Sequence, residues 1–336
     1  MSGSRLRVGV VGAGYFGRFH ALKVAAGART VLSGVHDAVA ARGAALAEEV
    51  GCPALAWPEL LARSDAIVVA SPAATHHAAA AAALRAGRHV LVEKPVAATL
   101  AEADDLIALA RAGGLVLQVG HLLRYSPERA AIMAHMQRPA YVECIRAAPF
   151  KPRGTDVSVV LDLMIHDLDM VLSLVGSTLV GVDAVGGCVA SGHVDIANAR
   201  LRFADGCVAT LVASRVSAHT ERRMRLFGEA GSITLDFAER SLHLVRRQNA
   251  APPLAEGGSA DSCAAVEAGT GQSFIWPATD LVEAEHAAFA AAILDRAPVL
   301  VDGAAGRRAL AAALAVEAAI ADSTARAVAG GLLAPR

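Results

Sequence analysis

Cysteine is scarce in this chain of 336 residues, and the few cysteines lie far apart. There are five, an odd number, and no two of them form a C-x-x-C pair. They are Cys52, Cys144, Cys188, Cys207 and Cys263. A secreted fold built on disulfides is therefore not indicated. We expect reduced, mostly structural thiols and a cytoplasmic protein.

Long hydrophobic runs and an excess of one sign of charge are also missing. Hydrophobic residues make up 54% of the chain, but much of this is alanine, and no apolar run approaches the roughly 18 residues that span a bilayer. The N-terminal apolar run is too short for a signal peptide. The net charge is −1, so no electrostatic feature suggests a nucleic-acid or membrane partner.

A glycine pattern follows the first strand-like run, LRVGVV (6–11). The next residues, GAGYFG (12–17), have the G-x-G-x-x-G spacing and lead into the helical segment RFHALKVAAG. The first glycine permits a tight turn, the second lets the backbone approach a pyrophosphate, and the third lets strand and helix pack closely. We therefore predict a dinucleotide-binding turn. The predicted contacts are Gly12, Gly14, Tyr15, Phe16 and Gly17.

A second strand-like run, TVLSGV, leads to Asp37, about 20 residues beyond the last glycine of the motif. A carboxylate there can accept a hydrogen bond from a ribose 2′-hydroxyl and would repel a 2′-phosphate. This position favours NAD over NADP. The alternative is that Asp37 is an ordinary turn or cap residue.

Three more strand-like runs alternate with helical segments: AIVVA (66–70), HVLVEKP (89–95) and LVLQVG (115–120). This alternation predicts a doubly wound parallel sheet, which binds ligands beyond the C-terminal ends of its strands. Lys94, at such an end, is either a solvated surface lysine or a catalytic group. The cofactor contacts expected at these ends are Ser71, Pro72, Thr75, His76, Glu93 and Lys94.

The segment VVLDLMIHDLDMVLSLVG (159–176) is apolar nearly all round and still carries four titratable side chains. In a helix, Asp162, His166 and Asp169 fall at i, i+4 and i+7 and share one face. Burying an unpaired charge is costly, so this polar stripe needs a partner, a metal or a wet cavity. A satisfied structural network and a functional site are both compatible with the pattern.

Several of these motifs together resemble the Gfo/Idh/MocA family of oxidoreductases. The resemblance spans nearly the whole chain, and its segments are GAGYFGRFH, PAATHH, HVLVEKP, GHLLRYSP (120–127), LDLMIHDLD (161–169) and EHAAFAAAILDRAPVLVDGAAGRRAL (285–310). It implies an N-terminal Rossmann domain, a C-terminal α/β domain with an open, mostly antiparallel sheet, and NAD-dependent oxidation of a secondary alcohol. The implied catalytic residues are Lys94, Asp162 and His166. No metal is expected, because nicotinamide hydride transfer needs none.

Within the family, APFKPRGTD (148–156) and the helix after it resemble the branch that acts on UDP-sugars, which implies oxidation of UDP-N-acetylglucosamine at C3. Lys151 and Arg153 flank a proline, either as a solvated loop or as a clamp on a diphosphate. The expected substrate contacts are Arg124, Tyr125, Lys151, Arg153, Asp162 and His166. The alternatives are another nucleotide sugar, a free sugar or an inositol, and a non-catalytic NAD-binding regulatory protein.

The second half reads as one helix followed by many strand-like runs, with a hairpin turn at 204–206. We predict an NAD-binding domain over 1–121 and a substrate and oligomerisation domain over 122–336, with final helices that return to the first domain. Residues 248–274, rich in Gly, Ala, Ser and Pro, are predicted to form a long loop. A wide sheet with one uncovered face predicts a homodimer or homotetramer.

Overall fold

The protein, represented by a computed structural model, divides into two compact units. The structure describes residues 5–151, 157–247, 264–268 and 271–334. One unit comprises Met1–Tyr125 and Asp280–Leu310, and the other comprises Ser126–Thr279 and Ala311–Arg336. No helix among the described residues combines the length and apolar character that a membrane crossing requires.

A five-stranded parallel sheet in the order β2-β1-β3-β4-β5 forms the first unit, as the alternating pattern predicts. Its apolar runs become fully buried strands because helices cover both faces of such a sheet. The strands are β1 (Leu6–Val11), β2 (Thr30–His36), β3 (Ala66–Val69), β4 (His89–Glu93) and β5 (Leu117–Gly120). The helices are α1 (Tyr15–Ala26), α2 (Ala40–Val50), α3 (Trp57–Arg63), α4 (His76–Arg85) and α5 (Leu100–Gly113).

Helix α5 shows how local sequence sets the ends of an element. The Thr99 side chain accepts a hydrogen bond from the Glu102 backbone N–H, and the Glu102 carboxylate accepts one from the Thr99 N–H. This capping box satisfies two backbone donors that a helix start leaves open. Gly114 then ends the helix in the left-handed conformation, at φ 60°, which glycine adopts without strain. Both ends of α5 are therefore set by residues within a few positions of each end.

Helix α8 (Leu281–Leu294) comes late in the chain and belongs to the first unit. Phe289 is 1% exposed and packs into the core formed by β1, α1 and their neighbours. Asp280 caps the helix and lies 2.5 Å from the Lys23 ammonium of α1. Asp295, at its other end, accepts two hydrogen bonds from Arg29. These contacts place α8 directly against α1.

The second unit is built on a nine-stranded sheet in which only β6 and β9 pair in parallel among the described strands. The prediction of an open, mostly antiparallel sheet is therefore confirmed, and the turn at 204–206 joins β8 to β9 as expected. The order is β13-β14-β12-β11-β10-β6-β9-β8-β7. The strands are β6 (Pro139–Ala147), β7 (Leu179–Gly187), β8 (Ile196–Phe203), β9 (Val208–Ser214), β10 (Glu221–Gly228), β11 (Gly231–Asp236), β12 (Ser241–Arg246), β13 (Ala264–Ala268) and β14 (Gly271–Ile275).

Three helices accompany this sheet, and one of them differs from its prediction. They are α6 (Pro127–His135), α7 (Ile165–Val175) and α9 (Gly303–Ala329), of which the last contributes to both units. The predicted continuous helix over 159–176 is wrong in its first part, because Val160–Met164 is a π-helical segment. Spacing of apolar residues does not reveal such a segment here, because residues 159–176 are apolar on nearly every face.

The prediction of a long loop over 248–274 is also partly wrong. Two strands, β13 and β14, lie within it and pair antiparallel with each other, and β14 adds to β12. Residues 248–263, 269 and 270 lie outside the described residues. The sequences AAVEA and GQSFI contain few β-branched or aromatic residues, which are the residues that usually indicate a strand. Sequence composition therefore does not predict these two strands.

The prediction of structural thiols holds for Cys144 and Cys207, which are buried in this unit. Burial raises the pKa of both thiols, to about 11 for Cys207. Such thiols are poor nucleophiles at neutral pH.

Candidate active site

The glycine turn between β1 and α1 is closed so tightly that two of its glycines are obligatory. Gly12 has φ 97°, and a Cβ there would lie 2.5 Å from the Ala70 carbonyl oxygen. A Cβ on Gly17 would lie 1.7 Å from the Gly12 carbonyl oxygen. At Gly14, by contrast, a Cβ would meet no atom within 4 Å. The turn is therefore packed on its inner side and open at Gly14.

This opening fits the pyrophosphate of a dinucleotide. Gly14 is the N-cap of α1, no side chain caps the helix, and its first turn contains no acid. The backbone N–H groups and the positive end of the helix dipole can therefore bind an anion. Tyr15 and Phe16, 56% and 40% exposed, follow at the helix start.

Asp37 lies next to the same turn. One of its carboxylate oxygens accepts a hydrogen bond from the Ala13 N–H at 2.7 Å, and the other accepts one from the Val39 N–H at 2.7 Å. Each carboxylate oxygen can accept a further bond, so ribose hydroxyls can still be bound. Asp37 is thus both the turn residue and the acid of the dinucleotide pattern.

A second turn follows β3 and is braced from within. The Ser71 and Thr75 hydroxyls are 2.7 Å apart, and Thr75 donates to the Pro72 carbonyl oxygen at 2.7 Å. His76 is 1% exposed, with Nε2 lying 2.8 Å from the Ser71 carbonyl oxygen and Nδ1 lying 2.7 Å from that of Pro95. The His76 ring therefore ties this turn to the turn after β4, and its two polar atoms already have partners. A cofactor contact by His76 or by this turn stays a prediction.

The turn after β4 carries Glu93 and Lys94. Glu93 is 6% exposed, with Oε1 lying 2.9 Å from His20 Nε2 and Oε2 accepting the Lys94 backbone N–H at 3.2 Å. The Glu93 carboxylate therefore points into the protein, and a cofactor contact by this residue stays a prediction. Lys94 itself is half-buried at the strand end, as predicted.

Two buried residues of α8 lie beside this carboxylate, and sequence reasoning gave them no role. His286 Nε2 lies 2.9 Å from His20 Nδ1. A ring nitrogen of His20 and one carboxylate oxygen each of Glu93 and Glu285 all lie within 4.8 Å of one another. Their sequence signals are the histidine three residues after the last motif glycine and the Glu-His pair near the start of α8. Neither signal predicts that residues 265 positions apart would meet.

The predicted substrate contacts are placed less fully. In the short helix Leu122–Tyr125, Arg124 donates a hydrogen bond to the Leu300 carbonyl oxygen at 3.2 Å, and both Arg124 and Tyr125 are half-buried. Lys151 is exposed. Arg153 lies outside the described residues.

The titratable side chains of residues 160–175 fall into a half-buried pair and a buried pair. Asp162, in the π-helical segment, and His166, in α7, are half-buried. Asp167 and Asp169 are buried, and Asp167 accepts two hydrogen bonds from Arg146 of β6, at 2.7 and 2.8 Å. A buried charge is thus paired, as burial requires. Asp162 and His166 remain the more accessible polar pair, and π segments are common at functional sites.

The chain resembles known proteins over nearly its full length. The family model "Oxidoreductase family, NAD-binding Rossmann fold" matches residues 6–121, and the "GFO/IDH/MocA C-terminal domain" matches residues 130–234. UDP-N-acetylglucosamine 3-dehydrogenase from Acidithiobacillus ferrooxidans is 40% identical over 94% of this chain and 97% of its own length.

The solved structure of that enzyme has a TM-score of 0.85 at 39% identity, covering 94% of this chain and 98% of its own. The dTDP-3,4-didehydro-2,6-dideoxy-alpha-D-glucose 3-reductase of Streptomyces antibioticus is 34% identical over 71% of this chain and 77% of its own. Both relatives are named for chemistry at C3 of a nucleotide sugar. The two domain matches, the shared fold and the glycine turn together show that the chain belongs to the Gfo/Idh/MocA family of NAD-binding oxidoreductases.

Proposed function

We propose that this protein oxidises the C3 hydroxyl of UDP-N-acetylglucosamine to a ketone, with NAD as the hydride acceptor. The observation that carries the proposal is the 40% identity to a UDP-N-acetylglucosamine 3-dehydrogenase across 94% of the chain. Lys94, Asp162 and His166 are all present at the positions that the family resemblance implies for catalysis. A non-catalytic NAD-binding protein has no physical need for all three.

NAD, when bound, supplies the ring that accepts the hydride. The protein holds it through the open backbone at Gly14 and the Asp37 carboxylate described above. A carboxylate at Asp37 would repel a 2′-phosphate, which makes NAD rather than NADP the expected cofactor.

His166 is the proposed base. An imidazole ordinarily titrates near neutral pH, so it can accept the hydroxyl proton as the hydride leaves the same carbon. Asp162, four residues earlier, would orient the ring or bind a sugar hydroxyl. Lys94 would donate a hydrogen bond to the reacting oxygen and stabilise its developing negative charge. The reverse assignment, with Lys94 as the base and His166 as the orienting group, uses the same residues.

Lys151 and Arg153 are proposed to bind the diphosphate of the substrate, since a guanidinium can bind phosphate through two parallel hydrogen bonds. Arg124 and Tyr125 are proposed sugar contacts. Charge reversal of Lys151 and Arg153 should raise KM for the UDP-sugar far more than KM for NAD. Equal effects on KM for the UDP-sugar and KM for NAD would contradict a role for Lys151 and Arg153 in binding the diphosphate.

The deciding experiment measures NADH formation at 340 nm with NAD or NADP and a panel of UDP-sugars, free sugars and inositols. We expect the highest kcat/KM with UDP-N-acetylglucosamine and NAD, and a product lighter by two hydrogen atoms with its carbonyl at C3. A higher kcat/KM for an inositol or a free sugar would contradict the substrate assignment.

The same assay tests the residues. Lys94→Ala and His166→Ala should each abolish turnover while NAD still binds in isothermal titration. The chain has three lysines, so Lys23→Ala is a matched control; its side chain pairs with Asp280 on the surface of the first unit. Near-normal kinetics for both test variants would refute the catalytic assignment.

We further propose a cytoplasmic homodimer or homotetramer that pairs through the open face of the large sheet. Residues alternate between buried and exposed along β8, so the described part of the single chain leaves one face of this strand uncovered. Val185 and Phe227, 57% and 59% exposed, lie on that face. A monomeric mass in light scattering at micromolar concentration would contradict this assembly.

A further inference from the structure

A cluster of four buried titratable side chains lies directly beneath the Glu93–Lys94 turn. His20 comes from α1, Glu93 from the end of β4, and Glu285 and His286 from α8, all within the first unit. Their exposures lie between 0% and 6%. Titratable groups at this depth are expensive unless they are paired or neutral, so their arrangement is informative.

Three of the four form a continuous hydrogen-bonded chain. A carboxylate can only accept, so His20 donates from Nε2 to Glu93 Oε1 over 2.9 Å. His20 Nδ1 lies 2.9 Å from His286 Nε2, so the two rings share a second hydrogen bond, in which one nitrogen donates and the other accepts. The other oxygen of Glu93 accepts the Lys94 backbone N–H. The chain therefore runs from His286 through His20 to Glu93 and ends at the peptide of Lys94.

The charge in the cluster is concentrated on Glu93. Burial, reinforced by the charge of Glu93, raises the pKa of Glu285 well above its ordinary value. Burial lowers the pKa of His286 to about 3. Burial alone would raise the pKa of Glu93, but the His20 hydrogen bond and the nearby Lys94 and His76 bring it below its ordinary value. The two carboxyl groups therefore shift in opposite directions, Glu93 toward the ionised form and Glu285 toward the neutral form, and His286 is neutral near pH 7.

The Glu93 carboxylate also lies close against Gly120, where a larger residue would collide with it. A Cβ on Gly120, at the end of the adjacent strand β5, would lie 3.0 Å from both Cδ and Oε1 of Glu93. Glycine at this position is what lets the carboxylate lie flat against β5. The carboxylate is therefore fixed by packing on one side and by His20 on the other.

We propose that His20 and His286 are positioning residues for Lys94, acting through the Glu93 carboxylate that accepts the lysine's backbone N–H. This inference rests on the catalytic role given to Lys94 under the proposed function. A catalytic side chain that is displaced by about 1 Å can lose 10²-fold in rate. A rigid acceptor at the peptide of Lys94 limits such displacement, and His20 contacts this acceptor directly.

The test replaces His20 in two ways. His20→Leu removes both ring nitrogens at similar volume, and we expect kcat to fall about 10- to 100-fold, the range typical for a lost supporting contact. KM for the substrate and Kd for NAD should stay within about threefold, since neither ligand loses a contact. His20→Gln keeps an N–H donor for Glu93 and should recover most of the lost kcat. If His20→Leu does not fold, His286→Leu tests the next bond along the chain, with an expected loss of about two- to tenfold.

Thr30→Val is the matched control for destabilisation. The Thr30 hydroxyl is buried in the first unit and donates to the Val24 carbonyl oxygen at 2.7 Å, at the start of β2. This variant should lower Tm without changing kcat, because it disturbs a buried hydrogen bond remote from Lys94.

Three results would overturn the inference. Unchanged kcat in His20→Leu together with an inactive Lys94→Ala enzyme would leave the proposed function intact and remove the positioning role. A stoichiometric divalent metal in the purified enzyme would also remove it, because His20 Nε2 would then be a ligand rather than a donor. An active Lys94→Ala enzyme would refute the role of Lys94 first, and the positioning role with it.

Discussion

The Glu285 carboxyl makes the stability of this protein depend on pH in a direction that can be tested. Glu285 is fully buried, and neither of its carboxylate oxygens has a hydrogen-bond partner among the described residues. Burial and the charge of Glu93 raise its pKa well above the ordinary value. In the unfolded chain the same side chain titrates near 4.3. The folded state therefore retains a proton that the unfolded state loses.

The sign and size of the effect follow from proton counting. Below about pH 4 both states are protonated, and Glu285 contributes no pH dependence. Between that pH and its raised folded pKa, the unfolded state binds one proton fewer, so the free energy of unfolding falls by up to about 1.4 kcal/mol per pH unit. Glu285→Gln removes this titration and keeps the shape of the side chain. Any packing cost of the amide is independent of pH.

The assay is urea unfolding of both proteins between about pH 5 and pH 7. The free energy of unfolding of Glu285→Gln minus that of the native protein should rise with pH until the raised folded pKa is reached, by up to about 1.4 kcal/mol per pH unit. Glu283→Gln, two residues earlier on α8 and exposed, is the control and should give a nearly flat difference. A flat difference for Glu285→Gln as well would show that the folded state does not hold Glu285 neutral.

Two further predictions separate architecture from binding. Gly14→Ala should leave Tm unchanged, because its Cβ meets no atom within 4 Å. It should raise Kd for NAD at least about tenfold, measured by titration calorimetry. Gly17→Ala should lower both Tm and NAD affinity, because its Cβ would lie 1.7 Å from the Gly12 carbonyl oxygen. Asp167→Asn should cost about 3 to 5 kcal/mol in urea unfolding, because it leaves the Arg146 guanidinium buried without its carboxylate. Glu143 lies on the same strand as Arg146 and forms a more exposed ion pair with Arg225 of β10. Glu143→Gln should therefore cost about 1 kcal/mol at most. Equal losses for these last two variants would contradict the argument from burial.

The first unit was largely predictable because its signals are local. The glycine spacing, the apolar runs and the Thr99 capping box each occupy a few consecutive residues, and each predicts its own turn, strand or helix end. The alternation of strands and helices then predicts that the sheet is parallel, although not the order of its strands. The π-helical segment and the β13–β14 hairpin were not predictable, because neither changes the local pattern in a recognisable way.

The candidate site was predictable only in part, and for a related reason. Lys94, Asp162 and His166 stand in motifs, so the sequence alone points to them. The contact of His20 with His286 joins residues 266 positions apart, and it depends on α8 returning to α1. The buried direction of the Glu93 carboxylate likewise depends on Gly120 from a neighbouring strand. Long-range packing of this kind leaves no periodicity in the sequence.

Under the catalytic roles proposed for Asp162 and His166, the π-helical turn at Val160–Met164 sets stability against activity within one short segment. Deleting a single residue there would let the helix close an ordinary α-helical ladder, which is the more stable arrangement. The same deletion would rotate Asp162 by about 100° around the helix axis relative to His166. Selection for heat resistance alone would thus favour shortening this turn, whereas selection for turnover would retain the extra residue.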